Sequence, residues 1–278
     1  MQFLFWGLKM PDIDDFFVMN DVNPFDLNKI IEKYKYFKKS SIPDNYIRQH
    51  FRALLQDTDN NILFKKKEIT DSPLQLFWTL RFIDMAENNY NNLVLNKYSS
   101  LEINDLKEIV NICLRNNIIY DTRNFLMRKG IYLYFIEALP GTRIDGSVYF
   151  TNHNTIAVGL TVRYDRLDYL WFTLLHELSH LILHKNYLTN GIVSIENAQD
   201  EIEVEANRLA KEVIISPEEY RVCLPKRTRN SEDLRKYAKN NNIHPVLLAG
   251  LIRRDLNNYH IFSDVVNSFK INKSDLYD

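Results

Sequence analysis

The sequence contains few of the residues that mark several common classes of protein. It has only two cysteines, Cys113 and Cys223, among 278 residues. They lie too far apart in sequence to form a ligand cluster, and they make a disulfide framework improbable. Two buried free thiols in a reducing compartment are therefore expected. Glycine and proline are also scarce, at seven and eight residues, which argues against a long flexible linker or a low-complexity tract.

Long apolar runs and an excess of one charge are missing as well. No apolar segment approaches the roughly 20 residues that span a bilayer. The apolar start Met1–Trp6 has neither the basic residues nor the cleavage site of a signal peptide. The formal net charge of -1 gives no overall attraction to nucleic acid or to a membrane. These absences predict a soluble cytoplasmic protein.

The first hundred residues show mainly helical spacing. Apolar residues recur at helical intervals over about 26–92, and one helix is expected from about Ser72 to Glu87. Ser72 can cap that helix, and Pro73 suits its first position. The Asn-rich stretch 88–92 indicates a loop, so a helical N-terminal region is expected to end near residue 100.

The following residues combine helices with a few strands. An amphipathic helix is expected over Leu101–Asn116. Strands are expected at Ile131–Ile136, Gly146–Phe150 and Thr155–Thr161. A helix capped by Asp165 runs to about residue 185, another spans about 200–214, and short helices fill 232–256. The pattern predicts an α+β fold that is mainly helical, with a small mixed or antiparallel sheet packed on the helix that begins near Asp165.

That helix carries the sequence His176-Glu177-Leu178-Ser179-His180. Histidines four residues apart lie on one helix face, about one turn apart, and can hold one metal ion. Glu177 lies about 100° further round the helix, where it can reach a metal-bound water without being a ligand. This is the zincin arrangement of two zinc ligands and a general base. The alternative is two histidines at the edge of the core with ordinary hydrogen bonds.

A catalytic zinc needs a third protein ligand from elsewhere. The next helix offers Glu201, Glu203 and Glu205. Glu203 and Glu205 flank its apolar face at similar angles, whereas Glu201 lies further toward solvent. Helix periodicity argues weakly against Glu201 as the third ligand and does not choose between Glu203 and Glu205.

The order of these features resembles the ImmA/IrrE family of bacterial and phage metallopeptidases over about residues 101–256. Ser179 stands where that family commonly has glycine, and Leu209 where it commonly has phenylalanine; neither is a ligand. The matching segments are Leu139–Thr142 with Asp145-Gly146, Trp171–His184, Glu203–Ala210, Ile214–Pro217 and Ile243–Pro245.

The resemblance implies a zincin-like metallopeptidase domain over 101–224, between an N-terminal region at 1–100 and a C-terminal helical extension at 225–278. It implies Zn²⁺ as cofactor and Glu205, directly before Ala206-Asn207, as third ligand. It also implies a regulatory protein as substrate, a transcriptional repressor above all, in a phage, toxin–antitoxin or stress-response setting. Many members carry a helix-turn-helix domain in front; residues 1–100 show no convincing one.

Four further residues are candidates for positions around the metal or in the cleft. His184 continues the histidine row by one turn, either beside the metal ligands or as a basic residue at the helix end. Glu203 and Asn207 are candidates for the surroundings of the ligands, and Tyr164 and His153 for the cleft. Thr155–Thr161 is interpreted as an edge strand that binds an extended peptide.

The competing hypothesis is a non-proteolytic, antitoxin-like regulator that keeps a structural metal and binds protein or nucleic acid. Eight basic residues lie between Lys226 and Arg254, against Glu232 and Asp233. They form either a solvated basic face or a nucleic-acid surface that includes Arg253 and Arg254. A role without any metal is the third and weakest hypothesis.

Overall fold

The computed structural model describes residues 73–88, 96–138, 144–151, 153–185, 201–271 and 276. The helices predicted before residue 73, and the segment Leu139–Thr142 that carries part of the family resemblance, lie outside these residues. The helix predicted from Ser72 is present and begins with Pro73. The predicted divisions at residues 100 and 224 stay predictions.

Among the described residues, the strands come in one consecutive run, with helices before and after it. In chain order they are α1 (Pro73–Asn88), α2 (Ile103–Ile112), α3 (Ile118–Arg128), β1 (Ile131–Glu137), β2 (Gly146–Phe150), β3 (Ile156–Val162), α4 (Leu167–Leu183), α5 (Glu201–Glu212), α6 (Pro217–Arg221), α7 (Pro225–Thr228), α8 (Ser231–Asn240), α9 (Pro245–Asp255) and α10 (Ser263–Val266).

The three strands form one mixed sheet in the order β1-β3-β2. β3 runs parallel to β1, with Ile131 opposite Ile156, and antiparallel to β2, with Val148 opposite Val158. The predicted α+β class with a small mixed sheet is confirmed. The interpretation of Thr155–Thr161 as an edge strand is wrong, because β3 is paired on both sides and every residue from Ile156 to Val162 is buried.

Helix α4 lies at the centre of the packing. It contacts the sheet through β2 and β3, and it also packs against α2, α5 and α9. Most of its residues are apolar and most are buried, as expected for a helix surrounded by other elements. The indole Nε1 of Trp171 donates to the Ile109 carbonyl at 3.4 Å, which joins α4 to α2.

The start of α4 differs slightly from the prediction. Arg166, not Asp165, occupies the position before the first helical residue. Arg166 Nε donates to Asp168 Oδ1 at 3.0 Å, so the predicted negative charge of the first turn is held by a neighbouring cation. A Cβ added at Gly250 of α9 would lie 2.4 Å from Asp168 Cβ, so only glycine allows α9 to approach α4 this closely.

One hydrophobic core runs from Leu101 to Leu276 and includes residues of the sheet, α4, α5 and the C-terminal helices. Cys113 and Cys223 are both free and buried, as predicted. Among the described residues, no helix has the length and apolar character needed to cross a membrane.

Candidate metal centre

Helix α4 brings the two motif histidines together. Residues 176 and 180 are one turn apart, and their Nε2 atoms lie 3.1 Å from each other. Burial differs between them: the His176 side chain is 15% exposed and the His180 side chain 4%. Access to the pair from solvent therefore lies on the His176 side.

Helix α5 supplies a carboxylate to this pair. Glu203 Oε2 lies 3.2 Å from His176 Nε2, and Glu203 Oε1 lies 3.0 Å from His180 Nε2. Glu203 is three residues before Ala206 and seven before Ala210, which are both fully buried. The apolar face that docks α5 on α4 therefore carries Glu203 into the contact. One ligand atom from each of His176, His180 and Glu203 lies within 4.8 Å of the others.

The donor set and its spacing fit a metal ion. Four ligands at zinc distances in a tetrahedron lie roughly 3.3 Å apart, close to the 3.0–3.2 Å separations of this triad. Glu203 Oε1 is buried and, within the described residues, is not aligned for a hydrogen bond despite its short approach to His180. A buried acceptor that approaches an imidazole nitrogen without an aligned hydrogen would be satisfied by a cation between the two. Two histidines and one carboxylate are a donor set of catalytic zinc.

The charges of the triad favour a cation as well. Burial alone would raise the pKa of Glu203, but its contacts with His176 and His180 outweigh burial and lower it to about 2. Burial lowers the pKa of His180, more than its contact with Glu203 raises it. At His176 burial also acts to lower the pKa, but the Glu203 contact and the Glu177 charge raise it above its ordinary value. The site thus holds an ionised carboxylate between two imidazoles.

Glu177 occupies a separate, enclosed position beside the triad. Its side chain is 6% exposed, and burial raises its pKa to about 7. A Cβ added at Gly146, the first residue of β2, would lie 2.6 Å from Glu177 Oε1. The missing side chain at Gly146 therefore makes the space that the carboxylate fills. A carboxyl with a pKa near neutrality can both accept and release a proton at physiological pH.

The structure does not bring Glu205, the ligand implied by the family resemblance, to the histidine pair. Glu205 Oε2 lies 3.1 Å from His184 Nε2, and its side chain is 50% exposed. The reason is helix geometry: two residues correspond to about 200° of rotation, so Glu203 and Glu205 cannot both face the pair. Periodicity left this choice open, because it does not say which side of α5 faces α4.

His184 lies at the end of α4, as expected, and continues the histidine row. Its Nδ1 lies 3.1 Å from His180 Nδ1, and its side chain is 4% exposed. Together with Glu205 it extends the triad by one more pair of side chains, away from the open side of His176.

The remaining candidates lie apart from the triad. Tyr164 is 50% exposed and packs edge-on against Tyr169 at 5.1 Å between ring centroids. His153 Nε2 lies 3.5 Å from Glu87 Oε2. Asn207 accepts a hydrogen bond from Arg254 at 3.1 Å. The guanidinium of Arg254 also stacks on Phe172, 4.0 Å from the ring centroid.

Arg254 is a neighbour of the site that the sequence did not indicate. Phe172 is one turn before His176 on α4, and Asn207 is one turn after Glu203 on α5. Arg254 of α9 bridges these two positions. The contact joins three helices that are distant in sequence, so no local pattern could reveal it.

The predicted basic surface is thus partly committed to internal contacts. Arg253 is buried and its guanidinium donates to the Tyr259 carbonyl. Arg235 pairs with Asp264 at 2.8 Å. Arg254 is held by Phe172 and Asn207.

Comparison with known proteins agrees with this geometry. Residues 130–241 match the model of the Peptidase M78 family, described as an IrrE N-terminal-like domain. No curated protein matches the chain significantly. The matched region contains the sheet, α4 and α5, and therefore the whole His176–His180–Glu203 cluster. Residues 130–241 therefore form a domain that is similar to the IrrE N-terminal-like domain of the Peptidase M78 family.

Proposed function

We propose that the protein is a zinc-dependent endopeptidase that cleaves a specific regulatory protein. His176, His180 and Glu203 are the zinc ligands, and Glu177 is the general base. The observation that carries this proposal is the convergence of three ligand atoms within 4.8 Å on the motif helix and its neighbour. The family of the domain supports peptide hydrolysis as the reaction.

Zinc in such a site acts as a Lewis acid and lowers the pKa of a bound water toward neutrality. Glu177 takes the proton of the attacking water on its carboxylate and passes it to the leaving amine. Its pKa of about 7, raised by burial, suits both steps. The enclosure of the carboxylate against Gly146 holds it in one position and keeps bulk water away.

Strand β2 is the proposed binding edge for the substrate. In the described sheet it pairs only with β3, which leaves its other edge for an added strand. Gly146, at its start, faces Glu177. A peptide paired with β2 would therefore run past the general base. This proposal replaces the role that the sequence suggested for Thr155–Thr161.

A narrow substrate range follows from the family, whose members act in regulatory settings; a transcriptional repressor is the proposed class. The test is co-expression with the product of the neighbouring gene, followed by a search for a cleavage product. Wild-type protein should produce it. Glu177→Gln should abolish it while the purified variant keeps about one zinc per chain.

Glu201→Gln is the matched control, because Glu201 is an exposed glutamate on α5 outside the triad. It should cleave and bind zinc as the wild type does. Cleavage by Glu177→Gln at the wild-type rate would contradict the assignment of the base. Absence of zinc from wild-type protein, or zinc retained in His176→Ala, would contradict the metal site.

A further inference from the structure

We propose that His184 and Glu205 are positioning residues that fix the tautomer of His180, so that its Nε2 lone pair faces the metal. The inference rests on the proposed metal site and adds two residues to it. Neither residue contacts the triad ion position directly; they act through His180.

His180 is engaged at both ring nitrogens. Nε2 belongs to the triad, 3.0 Å from Glu203 Oε1, and Nδ1 lies 3.1 Å from His184 Nδ1. Two imidazole Nδ1 atoms at this distance need one hydrogen between them, carried by one ring and accepted by the other. Which ring carries it decides whether His180 Nε2 is a lone pair or an N–H.

Glu205 settles that choice. Its carboxylate offers only acceptors, and Oε2 lies 3.1 Å from His184 Nε2, so His184 carries its hydrogen on Nε2. In the tautomer with its hydrogen on Nε2, His184 has a lone pair on Nδ1 and accepts from the Nδ1–H of His180. His180 consequently keeps its lone pair on Nε2, the atom that faces Glu203 and the metal position.

Burial makes this orientation matter. The side chains of His180 and His184 are each 4% exposed, so bulk water is a poor substitute partner for either. The backbone fixes the pair as well, because the His184 amide donates to the His180 carbonyl at 2.8 Å. Within the described residues, the corresponding Nδ1 of His176 has no hydrogen bond. Only one of the two histidine ligands is therefore oriented by such a pair.

The experiment measures zinc affinity by competition with a chelator in the full-length protein. Removing the partner of a metal-bound histidine weakens metal binding by roughly 10- to 100-fold, and this loss is expected for His184→Ala. Glu205→Ala should weaken zinc binding in the same direction by a smaller factor. Glu205→Gln should restore most of the affinity, because its amide oxygen still accepts from His184 Nε2. Glu201→Ala is the control and should match the wild type.

A spectroscopic readout separates positioning from general stability. In ¹H–¹⁵N spectra of the metal-free imidazoles, wild-type His180 should be the Nδ1–H tautomer, and Glu205→Ala should shift it toward a mixture. The double variant His184→Ala/Glu205→Ala should bind zinc no more weakly than His184→Ala, because Glu205 acts through His184. Glu205 is half exposed, so its variants keep the test open if His184→Ala does not fold.

The outcomes distinguish this inference from the proposed function. Zinc affinity within about twofold of wild type in both His184→Ala and Glu205→Ala would overturn the inference and leave the metal site intact. An Nε2–H tautomer of His180 in the wild type would overturn it too. Failure of wild-type protein to bind zinc would overturn the proposed metal site first, and the inference with it.

Discussion

Two histidine–glutamate contacts lie side by side between α4 and α5, and they differ in geometry. At the first, His176 and His180 converge on Glu203, whose side chain is 7% exposed. At the second, a single histidine, His184, meets Glu205 at 3.1 Å, and Glu205 is 50% exposed. Convergence of buried lone pairs favours a metal, whereas a one-to-one pair that ends at a half-exposed carboxylate favours orientation of a neighbour. We therefore expect the two glutamates, two positions apart, to serve different purposes.

The largest expected effect separates the two glutamates. Glu203→Ala removes one of the three proposed ligands and should weaken zinc binding on the order of 1000-fold, whereas Glu205→Ala removes only the proposed orienting partner. Zinc content after dialysis, measured by elemental analysis, should fall toward zero in Glu203→Ala and stay near one per chain in Glu205→Ala. The reverse result would restore Glu205 as the third ligand.

The next effect concerns the free energy of unfolding of the metal-free protein. Burial raises the pKa of Glu177 to about 7, from an ordinary 4.5. A raised carboxyl pKa contributes stability below about pH 4.5, and that contribution is lost as the pH rises through 7. Glu177→Gln, which cannot ionise, should therefore be more stable than wild type at pH 8 by about 3 kcal/mol, and the difference should vanish near pH 4.5. Urea unfolding at both pH values measures it.

Glu203 serves as a control for that measurement, because the effect of its substitution on the free energy of unfolding should have the opposite sign. Its pKa of about 2 is below the ordinary 4.5, so its ionised form stabilises the fold above pH 4.5 and the contribution is lost toward pH 2. Glu203→Gln should thus lower stability at neutral pH. If both variants shifted stability in the same direction, the assignment of one neutralised and one ionised carboxyl would be wrong.

Gly146→Ala tests whether strand β2, rather than either histidine–glutamate contact, fixes the position of the Glu177 carboxylate. The added Cβ would lie 2.6 Å from Glu177 Oε1, so the carboxylate must move. Cleavage of the regulatory substrate should slow by about 10-fold or more, as expected for a misplaced catalytic group, with zinc affinity unchanged. Ser147→Ala, at the next buried position of β2, is the control. Loss of zinc from Gly146→Ala would show that the ligands moved too.

The smallest expected effect concerns the influence of Arg254 on the pKa of His176. Burial lowers the pKa of His176, the contacts with Glu203 and Glu177 raise it above its ordinary value, and the charge of Arg254 opposes that rise. Arg254→Gln should raise that pKa, so protons should compete better with zinc and the pH midpoint of zinc uptake should rise by a few tenths of a unit, given the exposure of Arg254. Arg235→Gln, which breaks only the Asp264 pair, should leave the midpoint unchanged. A downward shift would contradict the influence of Arg254 on His176.

Local sequence signals predicted the parts of the site that lie within one element. The helices that carry His176–His180 and the three glutamates, and the strands before them, follow from periodicity and composition. Periodicity reports which face of a helix is buried but not which neighbour that face meets. The choice between Glu203 and Glu205 as the third ligand therefore stayed open. Strand order needs pairing information that a single strand lacks, and β3 was therefore misplaced at the edge. The position of Arg254 beside the site depends on how α9 packs against α4 and α5. No local sequence pattern encodes that packing.

The close approach of α9 to α4 at Gly250 has a practical consequence. The family match ends at residue 241, before α9 begins, yet α9 rests against Asp168 at the first turn of α4, the helix that carries both motif histidines. A protein cut at the family boundary would lose Arg254 and uncover apolar surface of α4 that is buried in the intact chain. A fragment intended for expression should therefore extend beyond residue 241 and include α9, because α9 covers apolar surface of α4.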